Sequence, residues 1–259
     1  MTLFQSILIA LVEGLTEFLP ISSTGHMILA STAMGIHEDE FVKTFEVFIQ
    51  LGAILAIALM YIKRFFRSLT IYFKLITAFL PTAVVGFLAY DYIKAYLFNP
   101  IVVSVSLILG GIILIFIDKK VAAQGSTVVE VEDISYKNAF FIGLCQCLSM
   151  LPGTSRAAAT IIGGVFNGLN RKQATEFSFL LAVPTMLAAG GYDLLKSDLA
   201  FSNEQLVLLG VGFVVAFASA WVAVKLFLTY VSNHGFTAFG WYRIALGILF
   251  LIFMWGADL

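Results

Sequence analysis

Apolar residues in this chain run in long blocks, with neither strand-like alternation nor narrow amphipathic stripes. A helix that crosses a bilayer needs about 20 mostly apolar residues. Six blocks meet that need: Thr44–Ile62, Ile71–Tyr90, Pro100–Ile117, Ala174–Leu195, Glu204–Phe227 and Thr237–Trp255. Two further blocks do not fit a single span. Leu3 to Met34 is broken at Leu19-Pro20-Ile21-Ser22-Ser23-Thr24-Gly25-His26, and Asn138 to Gly168 at Leu151-Pro152-Gly153-Thr154-Ser155-Arg156. Each half is too short to cross. A segment that enters the membrane, turns and leaves by the same face fits both. Non-helical backbone at that depth is tolerated only where protein or a wet cavity covers it, so each break points to a site.

Charge placement orients these elements. Ten of the 15 Lys and Arg fall in Lys63–Lys74, Asp118–Lys137, Gly168–Gln173 and Lys225–His234. Three fall in Gly35–Lys43, Asp91–Asn99, Asp193–Asn203 and the C-terminal tail, and Arg156 and Arg243 lie inside segments. Cytoplasmic connections carry the excess of Lys and Arg. Both termini are therefore expected outside, with the first broken segment entering from outside and the second from the cytoplasm.

The two breaks resemble each other. Leu19-Pro20-x-Ser22-Ser23 aligns with Leu151-Pro152-x-Thr154-Ser155, and Leu109-Gly110 with Leu114-Ile115-Phe116 recurs as Leu246-Gly247 with Leu251-Ile252-Phe253. Each half then holds one re-entrant segment and three spans. Three is odd, so the second half enters upside down, the plan in which broken helices meet near the midplane. The expected domains are a first repeat over 1–120, a cytoplasmic linker over 121–137 and an inverted second repeat over 138–259. The expected fold is an all-α integral membrane protein: six transmembrane helices plus two re-entrant helix-turn-helix segments in inverted-topology repeats.

Composition narrows the class. Among the 259 residues, 60% are AVILMFWYC and 12% are charged, against about 25% charged in a soluble domain. The mean hydropathy is +0.98. A soluble enzyme, a disordered chain and a nucleic-acid binder are excluded. The net charge of -1 offers polyanions no basic field. Cys145 and Cys147 are too close for a zinc knuckle and read as small apolar fillers. Met1 to Ala10 carries no Lys or Arg and no cleavage site follows, so the N-terminus is expected to stay.

Candidate chemistry gathers at the breaks. Glu13 and Glu17 are i and i+4, on one helical face. Charges at membrane depth are costly and mark function by default. Two adjacent carboxylates need a shared proton or a cation between them, and carboxylates select hard cations such as Mg2+ or Ca2+. Ser22, Ser23, Thr24, Gly25 and His26 open the next half-helix, whose amide N–H groups suit an anion. In the second break Gly153 allows close backbone approach, Thr154 and Ser155 supply hydroxyls, and Arg156 supplies a fork that matches phosphate. Thr160 shares the face of Arg156. A cation clamp plus an arginine is a recipe for phosphoryl transfer. His26, on the face of Ser23, titrates near neutrality; it could activate Ser23 as nucleophile or activate water. Glu46, Gln50 and Glu176 are expected as supporting groups that orient the metal or the histidine. Gln146 stands before the second break where the first has its glutamates. His37 and His234 are expected to be solvated, and Arg243 to snorkel or pair internally.

At these residues a family resemblance enters. Glu13-Gly-Leu-Thr-Glu17-Phe-Leu-Pro20-Ile-Ser-Ser23-Thr24-Gly25-His26 and Pro152-Gly153-Thr154-Ser155-Arg156 resemble the two signature motifs of bacterial undecaprenyl-diphosphate phosphatases of the bacitracin-resistance type. Lys43-Thr-Phe-Glu46-Val-Phe-Ile-Gln50-Leu-Gly52 is similar to the family as well. The resemblance implies a multi-pass enzyme of the inner membrane, opening to the periplasm. It would hydrolyse the C55 diphosphate to the monophosphate carrier and inorganic phosphate with Mg2+ or Ca2+, serving cell-wall synthesis and bacitracin resistance. It assigns the acidic motif to Glu13 and Glu17, the Ser/Thr/His group to Ser23, Thr24 and His26, and the second motif to Gly153, Ser155, Arg156 and Thr160. The family often has Ser after the arginine, where this chain has Ala157. The implied partners are the polyprenyl diphosphate and membrane lipid, with a homodimer left open. The competing reading is a transporter that flips the carrier lipid on the same architecture.

Overall fold

The structure, a computed structural model, describes residues 1–67, 69–96, 100–123, 131–196 and 200–255. Among them there is no strand. Eleven α-helices run in order: α1 (Leu3–Thr16), α2 (Ser23–Ala33), α3 (Glu40–Met60), α4 (Ile62–Arg67), α5 (Leu69–Tyr96), α6 (Pro100–Ala123), α7 (Tyr136–Cys147), α8 (Arg156–Phe166), α9 (Arg171–Lys196), α10 (Asn203–His234) and α11 (Thr237–Trp255). Short 3-10 turns at Val131–Asp133 and Leu148–Met150 precede and follow α7. Five helices, α3, α5, α6, α9 and α10, are long and apolar enough to cross a membrane. The chain is an all-α integral membrane protein. The sixth expected span forms as α11, over the bounds the apolar block gives. Its described apolar part, Thr237–Ile252, is shorter than the other five.

The helices outrun the apolar blocks, because a helix continues past the hydrocarbon while its backbone bonds remain satisfied. Two expected connections are corrected in this way. Lys74 lies in α5, is 7% exposed, and donates to the Glu132 carbonyl. Lys225 lies within α10, which runs on to His234. The expected linker 121–137 falls partly outside the described residues.

Both breaks form as expected from their Pro/Gly turns. α1 ends at Thr16, and the chain turns through 17–22 before α2 packs back on α1. α7 passes through its 3-10 turn, and α8 packs back on α7. Packing partners are exchanged between the halves: α1 lies on α10, α7 lies on α5, α3 lies on α9, and α6 lies on α11. With no hydrophobic drive between helices in lipid, close backbone approach must hold them. A Cβ on Gly14 of α1 would stand 2.5 Å from the Ala216 carbonyl of α10, and one on Gly143 of α7 would stand 2.1 Å from the Ala78 carbonyl of α5. The core beside the breaks is aromatic, with Phe18, Phe177, Phe179, Phe227 and Phe236 essentially buried. Phe66, Phe87, Leu88 and Leu195 lie on the outer surface, as lipid contact requires.

Pro81 and Pro184 sit inside α5 and α9, each followed by a threonine. Gln146, fully buried, donates 2.9 Å to Thr82 Oγ1 and 3.2 Å to Thr185 Oγ1. The second half thus fills with a neutral hydrogen-bonded cluster the place where the first half carries carboxylates.

Candidate active site

The turns that interrupt the two apolar blocks meet. Ser155 Oγ of the second turn donates 3.4 Å to the Leu19 carbonyl of the first. Each turn ends in a helix cap: Ser22 Oγ accepts from the Gly25 amide, and Ser155 Oγ accepts from the Ala158 amide. These two serines are the non-glycine residues with positive φ among the described residues, at 69° and 72°. Such backbone is strained for a residue with a Cβ and clusters at functional sites. The cap geometry also revises the alignment of the breaks. Ser22, not Ser23, matches Ser155, because the second turn is one residue longer. The first residues of the two half-helices are then Ser23 and Arg156.

Both of these residues hold Glu17. Ser23 Oγ donates to Glu17 Oε2 at 2.5 Å, and Arg156 Nη2 donates to Glu17 Oε1 at 2.9 Å. The pair is nearly sealed, with the arginine and glutamate side chains 10% and 8% exposed. Arg156 is held from the other side by the Ser178 carbonyl at 3.2 Å and Met186 Sδ at 3.4 Å, and its guanidinium lies 5.4 Å from the Phe18 ring centroid. Its Nε is buried and has no partner. That N–H is a charged donor with capacity for a further acceptor.

One turn back on α1, Glu13 is fully buried, and no donor reaches either of its carboxylate oxygens. Glu46 Oε1 of α3 is likewise buried without a partner. Burying such groups unpaired is costly. Glu13 beside Glu17 therefore fits a divalent cation. Among the described residues no group of three His, Cys, Asp or Glu forms a ready metal cage. Two carboxylates suit a hard ion that takes its remaining ligands from phosphate oxygens and water, as Mg2+ does.

His26 faces away from Ser23. Its Nδ1 lies 2.8 Å from the Ser22 carbonyl, which only a protonated Nδ1 can satisfy. Its Nε2 then accepts from the Tyr242 hydroxyl at 2.6 Å, and the two rings lie within 4° of parallel. The hydroxyl of Ser23 thus has Glu17, not His26, as its proton acceptor.

Several expected contacts resolve differently. Glu176 is not beside the site; it pairs with Arg64 at 3.0 Å, next to Glu132, because α9 presents it toward α4 and the Val131–Asp133 turn. Thr160 is 1% exposed and turns inward, 2.6 Å from the Oγ of Ser178, whose carbonyl holds Arg156. Gly153, with φ 89°, makes its close approach to the Val103 carbonyl of α6, where a Cβ would stand at 2.3 Å. Gly25 has ordinary room for a Cβ. Ser22 and Ser155 are caps, and Thr24 and Thr154 are half-buried beside them. Gln50 is half-buried one turn beyond Glu46 on the same face of α3. His37 is half-buried, with Nδ1 3.0 Å from Ser31 Oγ, where solvation was expected.

Sequence reading underweighted α11. Arg243 is fully buried and donates to carbonyls of both turns. A lone arginine within an apolar span was the available signal. Tyr242 carried no signal beyond being aromatic near a membrane surface.

Known proteins align with this picture. The family described as Bacitracin resistance protein BacA matches residues 6–249. The chain is 52% identical over 254 residues to an undecaprenyl-diphosphatase of Wolinella succinogenes, covering 98% of this chain and 99% of that protein. It is 48% identical over 257 residues to one of Aquifex aeolicus, with 98% and 99% covered, and 48% identical over 254 residues to one of Persephonella marina, with 98% and 100% covered. This multi-pass membrane protein belongs to the BacA family of bacitracin resistance proteins.

Proposed function

We propose that this chain hydrolyses undecaprenyl diphosphate, the substrate for which its relatives are named, to undecaprenyl phosphate and inorganic phosphate. The observation that carries the reading is Glu17 gripped between Ser23 and Arg156, the first residues of two facing half-helices. Ser23 Oγ attacks the terminal phosphorus while Glu17 Oε2 takes its proton. The bond from that phosphorus to the bridging oxygen breaks, and the lipid monophosphate leaves. Water then hydrolyses the phosphoserine, releasing phosphate and restoring the hydroxyl. As Glu17 is protonated its hold on Arg156 slackens, and the fork, with the unpartnered Nε, turns to the phosphoryl oxygens. The first-turn amides of α2 and α8 add anion-binding donors. Glu13 and Glu17 would hold a divalent cation, which when bound neutralises charge on the diphosphate. Glu46 and Gln50 stand behind that pair.

The opening of the site toward the periplasm rests on the Lys and Arg asymmetry of the connections. The exchanged packing partners and the two strained caps support a division into inverted repeats, 1–120 and 138–259. The test is phosphate release from a C55 polyprenyl diphosphate in detergent micelles, with Mg2+, with Ca2+ and with chelator. Metal-dependent release is expected. No release from folded protein would overturn the reading and turn it toward lipid transport, since micelles have no second side to move a lipid to.

A further inference from the structure

Arg243 of α11 spends all five of its N–H donors on backbone carbonyls. Nε reaches Leu107 at 3.3 Å and one Nη2 bond reaches Ser106 at 3.0 Å, both in α6. Nη1 reaches Pro20 at 3.0 Å and Thr154 at 2.8 Å, and the second Nη2 bond reaches Gly153 at 2.9 Å. The residue is 0% exposed, and its partners in these five bonds are all carbonyl oxygens. It therefore joins the first turn, the second turn and α6 at one planar group, and a lysine with three donors would leave at least two of the five carbonyls unheld.

The carbonyls it holds flank the strained caps. Pro20 lies two residues before Ser22, and Thr154 immediately before Ser155. Strained backbone persists only where its surroundings over-determine it. In a trans peptide the C=O and N–H point oppositely. Holding the Thr154 carbonyl thus aims the Ser155 amide, just before Arg156, to the other side of the turn. The residues after the caps are the ones that grip Glu17.

We propose that Arg243 is a positioning residue for the phosphoryl-transfer step: it fixes the two re-entrant turns relative to each other so that Ser23 and Arg156 meet on Glu17. The proposal rests on the phosphatase reading above. Arg243 does not touch the reacting groups; it sets where Ser23 and Arg156 stand, so its effect falls more on turnover than on affinity.

α6 offers an independent perturbation. A Cβ on Gly110 would stand 2.2 Å from Arg243 Nη2, and its next neighbours are other atoms of the same guanidinium. Gly110→Ala displaces the guanidinium without removing its charge or touching either turn. The experiment measures kcat and KM for the C55 diphosphate in micelles, per mole of monodisperse folded protein, for wild type, Arg243→Lys, Gly110→Ala and the double variant. A misplacement on the order of 1 Å costs about a hundredfold in rate. Each single variant is expected to lose at least about tenfold in kcat with KM within about threefold, and the double variant to be no worse than Arg243→Lys within about threefold. Wild-type kcat in folded Arg243→Lys or Gly110→Ala, or losses that multiply in the double variant, would overturn the proposal. So would a lowered melting temperature with unchanged specific activity, the mark of a purely structural role. If Arg243→Lys does not accumulate folded, Gly110→Ala decides alone. An inactive wild type would instead overturn the phosphatase reading.

Discussion

Replacing Glu17 by Gln separates the chemistry of the site from its architecture when turnover is measured at saturating metal, since Glu17 is also one of the two carboxylates that would hold the cation. The amide keeps the size of the carboxylate and an oxygen that can accept from Arg156, now 2.9 Å away. It can no longer take the Ser23 proton. A general base contributes about 10^2 to 10^4 in rate, or roughly 3–5 kcal/mol of barrier. Weakening two charge-assisted bonds to neutral ones costs about 1–2 kcal/mol each in stability. The variant should therefore melt within several degrees of wild type while turning over at least about a hundredfold more slowly. The assay is phosphate release in micelles beside thermal unfolding of the same preparation. Turnover within about threefold of wild type, from folded protein, would refute the assignment of Glu17 as the base.

Further outcomes follow from other contacts. Arg156→Ala removes the fork and its unpartnered Nε; turnover should fall by about 10^3 or more, checked in the same assay at saturating substrate. Glu13→Gln should move the metal titration to concentrations at least about tenfold higher, since one of two carboxylates is lost; an unchanged titration would remove Glu13 from the cation site. Tyr242→Phe deletes the hydroxyl 2.6 Å from His26 Nε2. One neutral hydrogen bond is worth about 0.5–1.5 kcal/mol, so turnover should fall by less than about tenfold, far less than in Ser23→Ala. Gly143→Ala places a methyl 2.1 Å from the Ala78 carbonyl, and overpacking of about 1–3 kcal/mol should lower the melting temperature with little change in the activity of folded protein.

The spans were legible because lipid demands long apolar blocks, and the breaks because Pro20 and Pro152 stand with runs of hydroxyl and glycine residues, whereas Pro81 and Pro184, each followed by one threonine in an otherwise apolar stretch, stay inside α5 and α9. The residues that bear the chemistry were legible as types: a carboxylate pair, a serine run and an arginine at membrane depth. Their partners were not. Whether Ser23 would lean on His26 or Glu17 was not legible, since the imidazole turns back on the Ser22 carbonyl and toward Tyr242, 216 residues away in sequence. Glu176 was misplaced because its partner, Arg64, lies 112 residues away in sequence. Arg243 was legible as an unusual charge but not as the link between turns, since its partners are carbonyls, which no sequence distinguishes. The one-residue difference between the two turns likewise shows only in the caps.

The most direct test of Ser23 activation by Glu17 is the state of Ser23 during the first turnover. Wild-type protein is mixed with the C55 diphosphate, quenched in acid within one turnover, digested and examined by mass spectrometry. Phosphate on Ser23, absent in Glu17→Gln, is the result the account predicts. Phosphate released in that first turnover with Ser23 unmodified at every quench time would contradict it and assign the attack to water.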